Sequence, residues 1–168
     1  DCLEDEELKE LLSRDHLTWE RYDSSTFFVQ KIAEGCKHIK TQYVVLCAND
    51  DFLIPTALTA CIEFLSEHLD YASVQGLTFL HFMKNIGLPI EYFRINPLYD
   101  KGRSSKGETG TKRLQEYIDG QTVYYPFYAV HRASTFHTIW NESANYTTDW
   151  GLAELFPCCY SFACGKMK

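Results

Sequence analysis

Apolar residues recur along the chain with two spacings, which separate predicted helices from predicted strands. Apolar side chains at every fourth position follow the N-cap hydroxyls of residues 24–26 and predict a helix that ends near Ile39. The apolar run from Gln42 to Ala48 is too short for a helix, so it predicts a buried central strand. Pro55 suits the first turn of a second helix, whose apolar positions keep helical spacing up to Leu65.

The rest of the chain continues this alternation of helices and strands. Further strands are predicted at Tyr71–Phe79, Ile90–Ile95 and Val123–Val130. Further helices are predicted at Lys112–Ile118, Ala133–Trp140 and Trp150–Phe162, the last of which contains Pro157. This order is typical of an α/β domain with a mostly parallel sheet flanked by helices, and such sheets bind ligands beyond the carboxyl ends of their strands. The acidic turn after Ala48 therefore lies where a site is expected.

Composition and charge narrow the class of protein. The 168 residues, of which 45% are hydrophobic and 23% charged, suffice for one globular domain and exclude general disorder. The longest apolar run, Tyr43–Ala48, is far shorter than the about 20 residues of a membrane span, so no transmembrane segment is expected in this chain. Sixteen basic against 23 acidic residues give a net charge of −7, which argues against a nucleic-acid partner.

Cysteine usage indicates the redox compartment. None of the seven cysteines forms a C-x-x-C pair, and Cys36 and Cys61 fall on the apolar faces of predicted helices, while Cys47 ends a predicted strand. We expect buried free thiols that act as small hydrophobic side chains rather than disulfides. Because no charged-then-apolar leader opens the chain, these thiols predict a reducing, cytoplasmic location.

The acidic turn Asn49-Asp50-Asp51 is the first candidate for chemistry. Two adjacent carboxylates repel each other, and a bare turn could use glycine or serine instead. Hard divalent cations such as Mn²⁺ or Mg²⁺ prefer oxygen ligands and often combine one or two carboxylates with substrate phosphates. The turn therefore predicts a cation site, and the alternative is an ordinary Asx turn without a ligand.

The residues around this turn resemble a glycosyltransferase family. Residues 41–53, Thr-Gln-Tyr-Val-Val-Leu-Cys-Ala-Asn-Asp-Asp-Phe-Leu, and the helix after Pro55 look like the core of proteins similar to family-2 glycosyltransferases, which have the nucleotide-sugar-binding α/β fold called GT-A. The resemblance continues at residues 71–76, 125–132, 154 and 165–166. The resemblance therefore implies that residues 1–168 are a partial glycosyltransferase domain. The resemblance itself covers about residues 27–168.

The resemblance implies an activity and a set of donor-binding residues. It implies metal-dependent, inverting transfer of a sugar from a nucleotide-diphospho-sugar donor to an acceptor hydroxyl. Asp50 and Asp51 would hold Mn²⁺ or Mg²⁺ and, together with Asn49, would bind the donor. Arg132 ends a predicted strand and would face the diphosphate, to which arginine can make paired hydrogen bonds, and the alternative is a surface pair of His131 and Arg132 with no ligand. This chain has Asn49 where the family pattern usually has aspartate, so the cation would depend mainly on the two carboxylates.

A late segment of the chain supplies the candidate catalytic base. Residues 147–155, Thr-Thr-Asp-Trp-Gly-Leu-Ala-Glu-Leu, resemble the helix start that carries the family's base, with Asp149 at the base position. An inverting transfer requires such a group to take the proton of the acceptor hydroxyl. Asp149 is therefore expected at a helix N-terminus, facing the same cavity as Asp51, with Glu154 as the reserve candidate. The alternative is that Asp149 only caps the helix.

Two further features bear on activity. The first β-α-β segment of a GT-A domain has no counterpart in this chain, so we expect an internal fragment of a larger catalytic domain. That departure and Asn49 favour the alternative function, a non-catalytic relative that binds a nucleotide sugar or a protein. A nucleotidyltransferase is a third alternative, although no glycine-rich or lysine-rich phosphate loop opens the chain. A basic loop is predicted to be a mobile insertion or a lid over the ligand, and it contains Lys101, Arg103, Lys106, Lys112 and Arg113.

Overall fold

The computed structural model describes residues 9–10, 12–84, 92–97, 103–122 and 125–168. The helices are α1 Phe28–Cys36, α2 Pro55–Glu67, α3 Gly110–Ile118, α4 Ala133–Tyr146, α5 Trp150–Ala153 and α6 Leu155–Cys164. The strands are β1 Tyr43–Val44, β2 Tyr71–Val74, β3 Phe79–Lys84, β4 Tyr92–Pro97, β5 Val130–Arg132 and β6 Lys166–Met167. A short 3₁₀ turn, Pro126–Tyr128, precedes β5.

The main sheet has the strand order β1-β5-β2-β6, and its pairings are mixed. Strand β5 is antiparallel to both of its neighbours, β1 and β2, whereas β2 and β6 are parallel. The expectation of a mostly parallel sheet is therefore wrong for the pairings, although β1, β2 and β6 run in one direction. The physical reason is that the chain enters β5 at the edge of the sheet where β1 and β2 end. Strands β3 and β4 form a separate antiparallel hairpin.

The expected central strand at Gln42–Ala48 is also wrong. Only Tyr43 and Val44 pair, and β1 has β5 as its one neighbour in the described sheet, so β1 lies at its edge. The ladder stops after Val44 because β5 is three residues long and a 3₁₀ turn precedes it. Residues 45–48 continue in the extended direction without a partner strand and are only half-buried or exposed.

Two apolar clusters lie on opposite faces of this sheet. On one face, Val29, Phe136 and Trp140 pack with Val44 and Leu46 from the β1 segment. On the other face, buried residues of α2 and β2 pack with Tyr43 and Val45. Alternate residues of the β1 segment thus serve both clusters, as expected for extended backbone. No helix in the described part of the chain is long and apolar enough to cross a membrane.

The helices predicted from spacing at α1, α2, α3 and α4 are confirmed, with α4 longer than predicted. The predicted helix Trp150–Phe162 is divided at Glu154, and Pro157 lies in the first turn of α6, where a missing N–H is tolerated. The predicted strand Tyr71–Phe79 ends at Val74, and β3 begins at Phe79. The predicted strand Val123–Val130 is wrong at residues 125–129, because Pro126 opens the 3₁₀ turn, and only its last residue, Val130, lies in a strand, β5.

The six cysteines that the structure describes are free thiols. Cys36, Cys61 and Cys158 are buried, as predicted for small hydrophobic side chains, and burial raises the pKa of the Cys36 thiol to about 11. Cys47 is exposed, which corrects its assignment as a buried strand residue.

Candidate functional site

The acidic turn follows β1 and lies beyond the carboxyl ends of strands β1 and β2. The backbone N–H of Asp51 donates to the carbonyl of Ala48 at 3.2 Å and closes the turn. The thiol of Cys47 lies 3.6 Å from the Asp51 carbonyl oxygen, within hydrogen-bond distance for sulfur. The side chains of Asn49, Asp50 and Asp51 are exposed. The turn therefore presents two carboxylates and an amide at the end of β1, where a ligand can reach them.

Tyr128 interacts with both carboxylates of the acidic turn and with a third carboxylate, Glu154. Burial of its phenol is the largest cause that raises the pKa of Tyr128, and the negative charges of Asp51, Glu154 and Asp50 add to it. These three carboxylates therefore lie close enough to Tyr128 to interact with it electrostatically. Tyr128 ends the 3₁₀ turn that leads into β5, so it reaches the site from a second loop at the same edge of the sheet.

Tyr125 holds the Glu154 carboxylate from the other end of the 3₁₀ turn. Its hydroxyl donates a hydrogen bond to Oε2 of Glu154. Burial and this bond raise the pKa of Tyr125, so the proton stays on the phenol and the carboxylate remains an acceptor. The rings of Tyr125 and Tyr128 lie 5.8 Å apart. Tyr125 thus interacts with Glu154 through a hydrogen bond and Tyr128 interacts with it electrostatically. Tyr128 also interacts electrostatically with the acidic turn.

Asp149 caps α5, as predicted. Its Oδ1 accepts a hydrogen bond from the backbone N–H of Leu152 at 3.1 Å, and its backbone is extended, as is usual for an N-cap. The adjacent Trp150 stacks on Phe28 at 5.3 Å and meets Phe27 edge-on at 5.0 Å. The start of α1 therefore fixes the start of α5. The Asp149 carboxylate is exposed, and its approach to Asp51 stays a prediction.

A cavity of about 520 Å³ opens beside the acidic turn. Its walls are mainly apolar and come from the β1 segment, α2 and the end of β2, while Asp51, Gln75 and Tyr128 supply polar groups. The Oε1 atom of Gln75 is buried and has no hydrogen-bond partner. This volume is within the range of small-molecule pockets. An unpartnered acceptor inside it favours a ligand that carries a hydroxyl or another donor.

Arg132 has a structural role that the sequence did not predict. Its guanidinium donates to the carbonyls of Leu65, His68 and Tyr71 at 2.6, 3.0 and 2.8 Å. These carbonyls belong to the end of α2 and the start of β2, so Arg132 joins the helix end to the strand. The bonds occupy Nε and Nη2, and the assignment of Arg132 to the donor site stays a prediction.

His131 has a structural role beside the site and carries no charge at pH 7. It is buried, and its Nε2 lies 2.8 Å from the Pro126 carbonyl, which ties the 3₁₀ turn to β5. Burial lowers the pKa of His131 to about 4, so the ring is neutral at pH 7.

The residues that sequence reasoning missed are the aromatic and amide groups of the loops. Tyr125, Tyr128 and Gln75 were not predicted as site residues, because tyrosines at this density are usually assigned to a core. A signal was present, since Tyr125 and Tyr128 flank a Pro-Phe pair directly before a short strand. Proline at that place predicts a turn, and a turn beside a strand end is a common place for site residues.

The chemistry of the acidic turn suits a hard cation, but the turn alone is an incomplete binding site. Among the described residues, no group of three or more His, Cys, Asp or Glu side chains lies together as a metal site would require. Asp50, Asp51 and Asn49 offer oxygen ligands, the type that Mn²⁺ and Mg²⁺ prefer. Their oxygens fit such a cation, and these three residues alone would leave its coordination incomplete.

Comparisons of the chain with protein-family models, with curated proteins and with solved structures give no match.

Proposed function

We propose that this domain transfers a sugar from a nucleotide-diphosphate donor to an acceptor hydroxyl with the help of a divalent cation. The observation that carries the proposal is the acidic turn after β1, whose Asp51 lines one cavity together with Tyr128. Acidic side chains beyond a strand end are suited to hold a cation on a ligand's phosphates. The resemblance of residues 41–53 to glycosyltransferase cores gives the donor its chemical class.

The acidic turn would bind the donor. Asp50 and Asp51 would hold Mn²⁺ or Mg²⁺, with Asn49 as a neutral oxygen ligand or hydrogen-bond partner. When bound, the cation would neutralise negative charge on the departing diphosphate and so favour its release. Tyr128, whose raised pKa keeps its proton, would donate a hydrogen bond to the ligand without adding charge.

Asp149 is the proposed base, and Glu154 is the less suitable carboxylate. One oxygen of Asp149 accepts from Leu152, which fixes the carboxylate, and its other oxygen is available to an acceptor hydroxyl. Glu154 already accepts a hydrogen bond from Tyr125. Glu154 would instead hold Tyr125 and add negative charge near the cation.

The cavity beside Asp51 is the proposed place for the acceptor. Because its walls are mainly apolar, it favours an acceptor whose hydroxyl is carried on an apolar group. A fully hydroxylated sugar would lose hydrogen bonds to water there and gain none from apolar walls in return. The unpartnered Oε1 of Gln75 would accept a hydrogen bond from a donor group on that acceptor.

Turnover of a panel of uridine- and guanosine-diphospho-sugars tests the proposal, with released nucleoside diphosphate as the readout. We expect Asp149→Asn to lower turnover by at least about 100-fold while donor affinity stays nearly unchanged, because a base acts in the transition state. Thr148→Val, at the exposed neighbouring position, is the matched control and should keep normal turnover. Normal turnover in Asp149→Asn together with a large loss in Glu154→Gln would assign the base to Glu154 instead.

A non-catalytic binding protein is the second candidate function. The observation that favours it is the exposure of large apolar side chains at the rim of the cavity, with Phe52 84% and Leu77 64% exposed. Such a protein would bind the nucleotide sugar and release no nucleoside diphosphate with any acceptor. Binding without turnover in the panel would therefore select this candidate.

A further inference from the structure

A second concave region, lined by charged groups, lies between residues 103–109 and the start of α3. It is a groove of about 710 Å³, and its lining includes Arg103, Lys106 and Lys112, with Glu108 and Glu116 as the acidic members. Its lining residues are entirely different from those of the cavity beside Asp51. The groove is therefore a separate candidate site.

The described part of the basic loop is fixed to the body of the domain. Ser105 is fully buried and exchanges two backbone hydrogen bonds with Met167 of β6, at 2.9 and 3.0 Å. A Cβ added at Gly107 would lie 2.9 Å from Cγ of Lys112, so this backbone lies tightly against α3. These contacts correct the expectation of a mobile insertion or lid for residues 103–109.

A buried positive charge lies behind the wall of the groove. The guanidinium of Arg113 is 7% exposed and donates to the carbonyls of Gly107, Phe162 and Ala163 at 2.7, 2.8 and 2.9 Å. Among the residues that the structure describes, no carboxylate forms a salt bridge with Arg113. This result corrects the interpretation of Arg113 as a surface cation of the loop. A buried cation that meets only carbonyls raises the electrostatic potential beside it and favours an anion nearby.

Two further features point to an anion that accepts hydrogen bonds. Thr122 lines the groove, is 6% exposed, and its Oγ1 has no hydrogen-bond partner. The N-terminus of the nine-residue helix α3 also faces this region, because its cap Thr109 and its residue Lys112 both line the groove. Helix N-termini carry partial positive charge and free N–H groups that bind anions.

The two carboxylates of the groove are outnumbered by its cations. Glu116 accepts a hydrogen bond from the Ser105 hydroxyl at 3.2 Å. Arg103, Lys106 and Lys112 give the groove three positive charges against the two negative charges of Glu108 and Glu116. The groove as a whole favours a small anion with several acceptor oxygens.

We propose that this groove binds a phosphoryl group, either as free phosphate or as a phosphate monoester. Lys106 and Lys112 would neutralise its charge, and the buried hydroxyl of Thr122 would donate one hydrogen bond to it. The three acceptor oxygens of a phosphoryl group match a site that offers cations, a hydroxyl and helix N–H groups together. This site is independent of the sugar-transfer site and of its outcome.

Calorimetric titration at low salt tests the site, with inorganic phosphate and glycerol 3-phosphate in separate runs. We expect saturable binding that Lys112→Gln weakens by about tenfold and Thr122→Val by about fivefold, since each loses a charge-assisted hydrogen bond. Thr122→Ser keeps the hydroxyl and should restore affinity, which separates a binding role from a structural one. Lys37→Gln, an exposed lysine on another surface, is the matched control and should not change binding.

Three results would overturn the proposal. One is the absence of saturable binding of either probe to the wild-type protein. The second is an equal loss in Lys37→Gln and Lys112→Gln, because binding would then follow general surface charge. The third is an unchanged affinity in Thr122→Val. Tighter binding of glycerol 3-phosphate than of phosphate would identify the ester as the ligand, and equal binding would identify free phosphate as sufficient.

Discussion

Replacement of Arg132 by methionine tests whether this arginine supports the fold or binds the donor. Methionine keeps an unbranched apolar stem and removes the three hydrogen bonds to the carbonyls of Leu65, His68 and Tyr71. It also removes the cation that lies 5.9 Å from the centre of the Tyr43 ring. The end of α2 would then have to find water for the carbonyls that Arg132 now holds.

The expected loss of stability follows from these bonds. A hydrogen bond from a charged group contributes about 1.5–3 kcal/mol. Because Nη2 donates to two carbonyls, the three bonds contribute about as much free energy as two strong ones. Because Arg132 is only half-buried, water partly replaces them when the side chain is removed. We therefore expect Arg132→Met to lower the free energy of unfolding by about 3 kcal/mol. With a slope of about 2 kcal/mol per molar urea, the unfolding midpoint should fall by about 1.5 M.

Urea unfolding followed by circular dichroism measures this change. Arg14→Met, at an exposed position, is the control and should move the midpoint by less than about 0.3 M. An equally small shift in Arg132→Met would refute the structural role. Arg132→Lys keeps the charge, and its affinity for a nucleoside diphosphate should stay within about twofold of the wild type. A large loss of that affinity with unchanged stability would make Arg132 a diphosphate ligand after all.

Two other predictions concern the packed interior. Burial lowers the pKa of His131 to about 4, whereas an unfolded histidine titrates near 6.5, so the unfolded chain binds the extra proton first as pH falls. Its contribution of up to about 3 kcal/mol is fully present above pH 6.5 and is lost between pH 6.5 and 4. His131→Gln should remove that part of the pH dependence of unfolding, and a profile parallel to the wild type would contradict the prediction. In Gly165→Ala, the new Cβ would lie 2.4 Å from the Cβ of Ala72, so we expect a loss of about 2 kcal/mol. Gly76→Ala has open space and should be neutral, and equal melting temperatures for the two variants would speak against the clash.

Local periodicity explains why most helices could be predicted. Several residues that repeat every three or four positions in α1 and α2 are buried in the structure, namely Cys36, Cys61 and Leu65, although Ile62 of the same pattern is exposed. The cap of α5 was local as well, because the Asp149 side chain accepts from the backbone N–H three residues ahead. Such features depend on neighbours within one or two turns, and a sequence displays those neighbours directly.

Sheet order and the roles of buried charges could not be predicted in the same way. The direction of β5 depends on its pairing with Val44 and Ser73, which lie far from it in sequence. Arg113 and Arg132 look like surface cations in the sequence, yet each of them donates three hydrogen bonds to backbone carbonyls. An arginine's role is set by distant carbonyls, and no local pattern reports them.

The acidic turn was recognised from its residue types and its place after an apolar run. Glu154 was named from the resemblance, but Tyr128 was not recognised, because it comes from a segment about 75 residues farther along the chain. A strand end and two carboxylates thus led to the prediction of a site, while the residues around it depended on long-range packing.

Titration of Mn²⁺ by calorimetry decides whether the acidic turn binds a cation together with a diphosphate. We predict weak binding to the protein alone and at least about tenfold tighter binding in the presence of uridine diphosphate or guanosine diphosphate, because the turn supplies too few ligands by itself. The double variant Asp50→Asn and Asp51→Asn should lose that gain. Equal Mn²⁺ affinity in the wild type and in the double variant, with the diphosphate present, would contradict the proposed site.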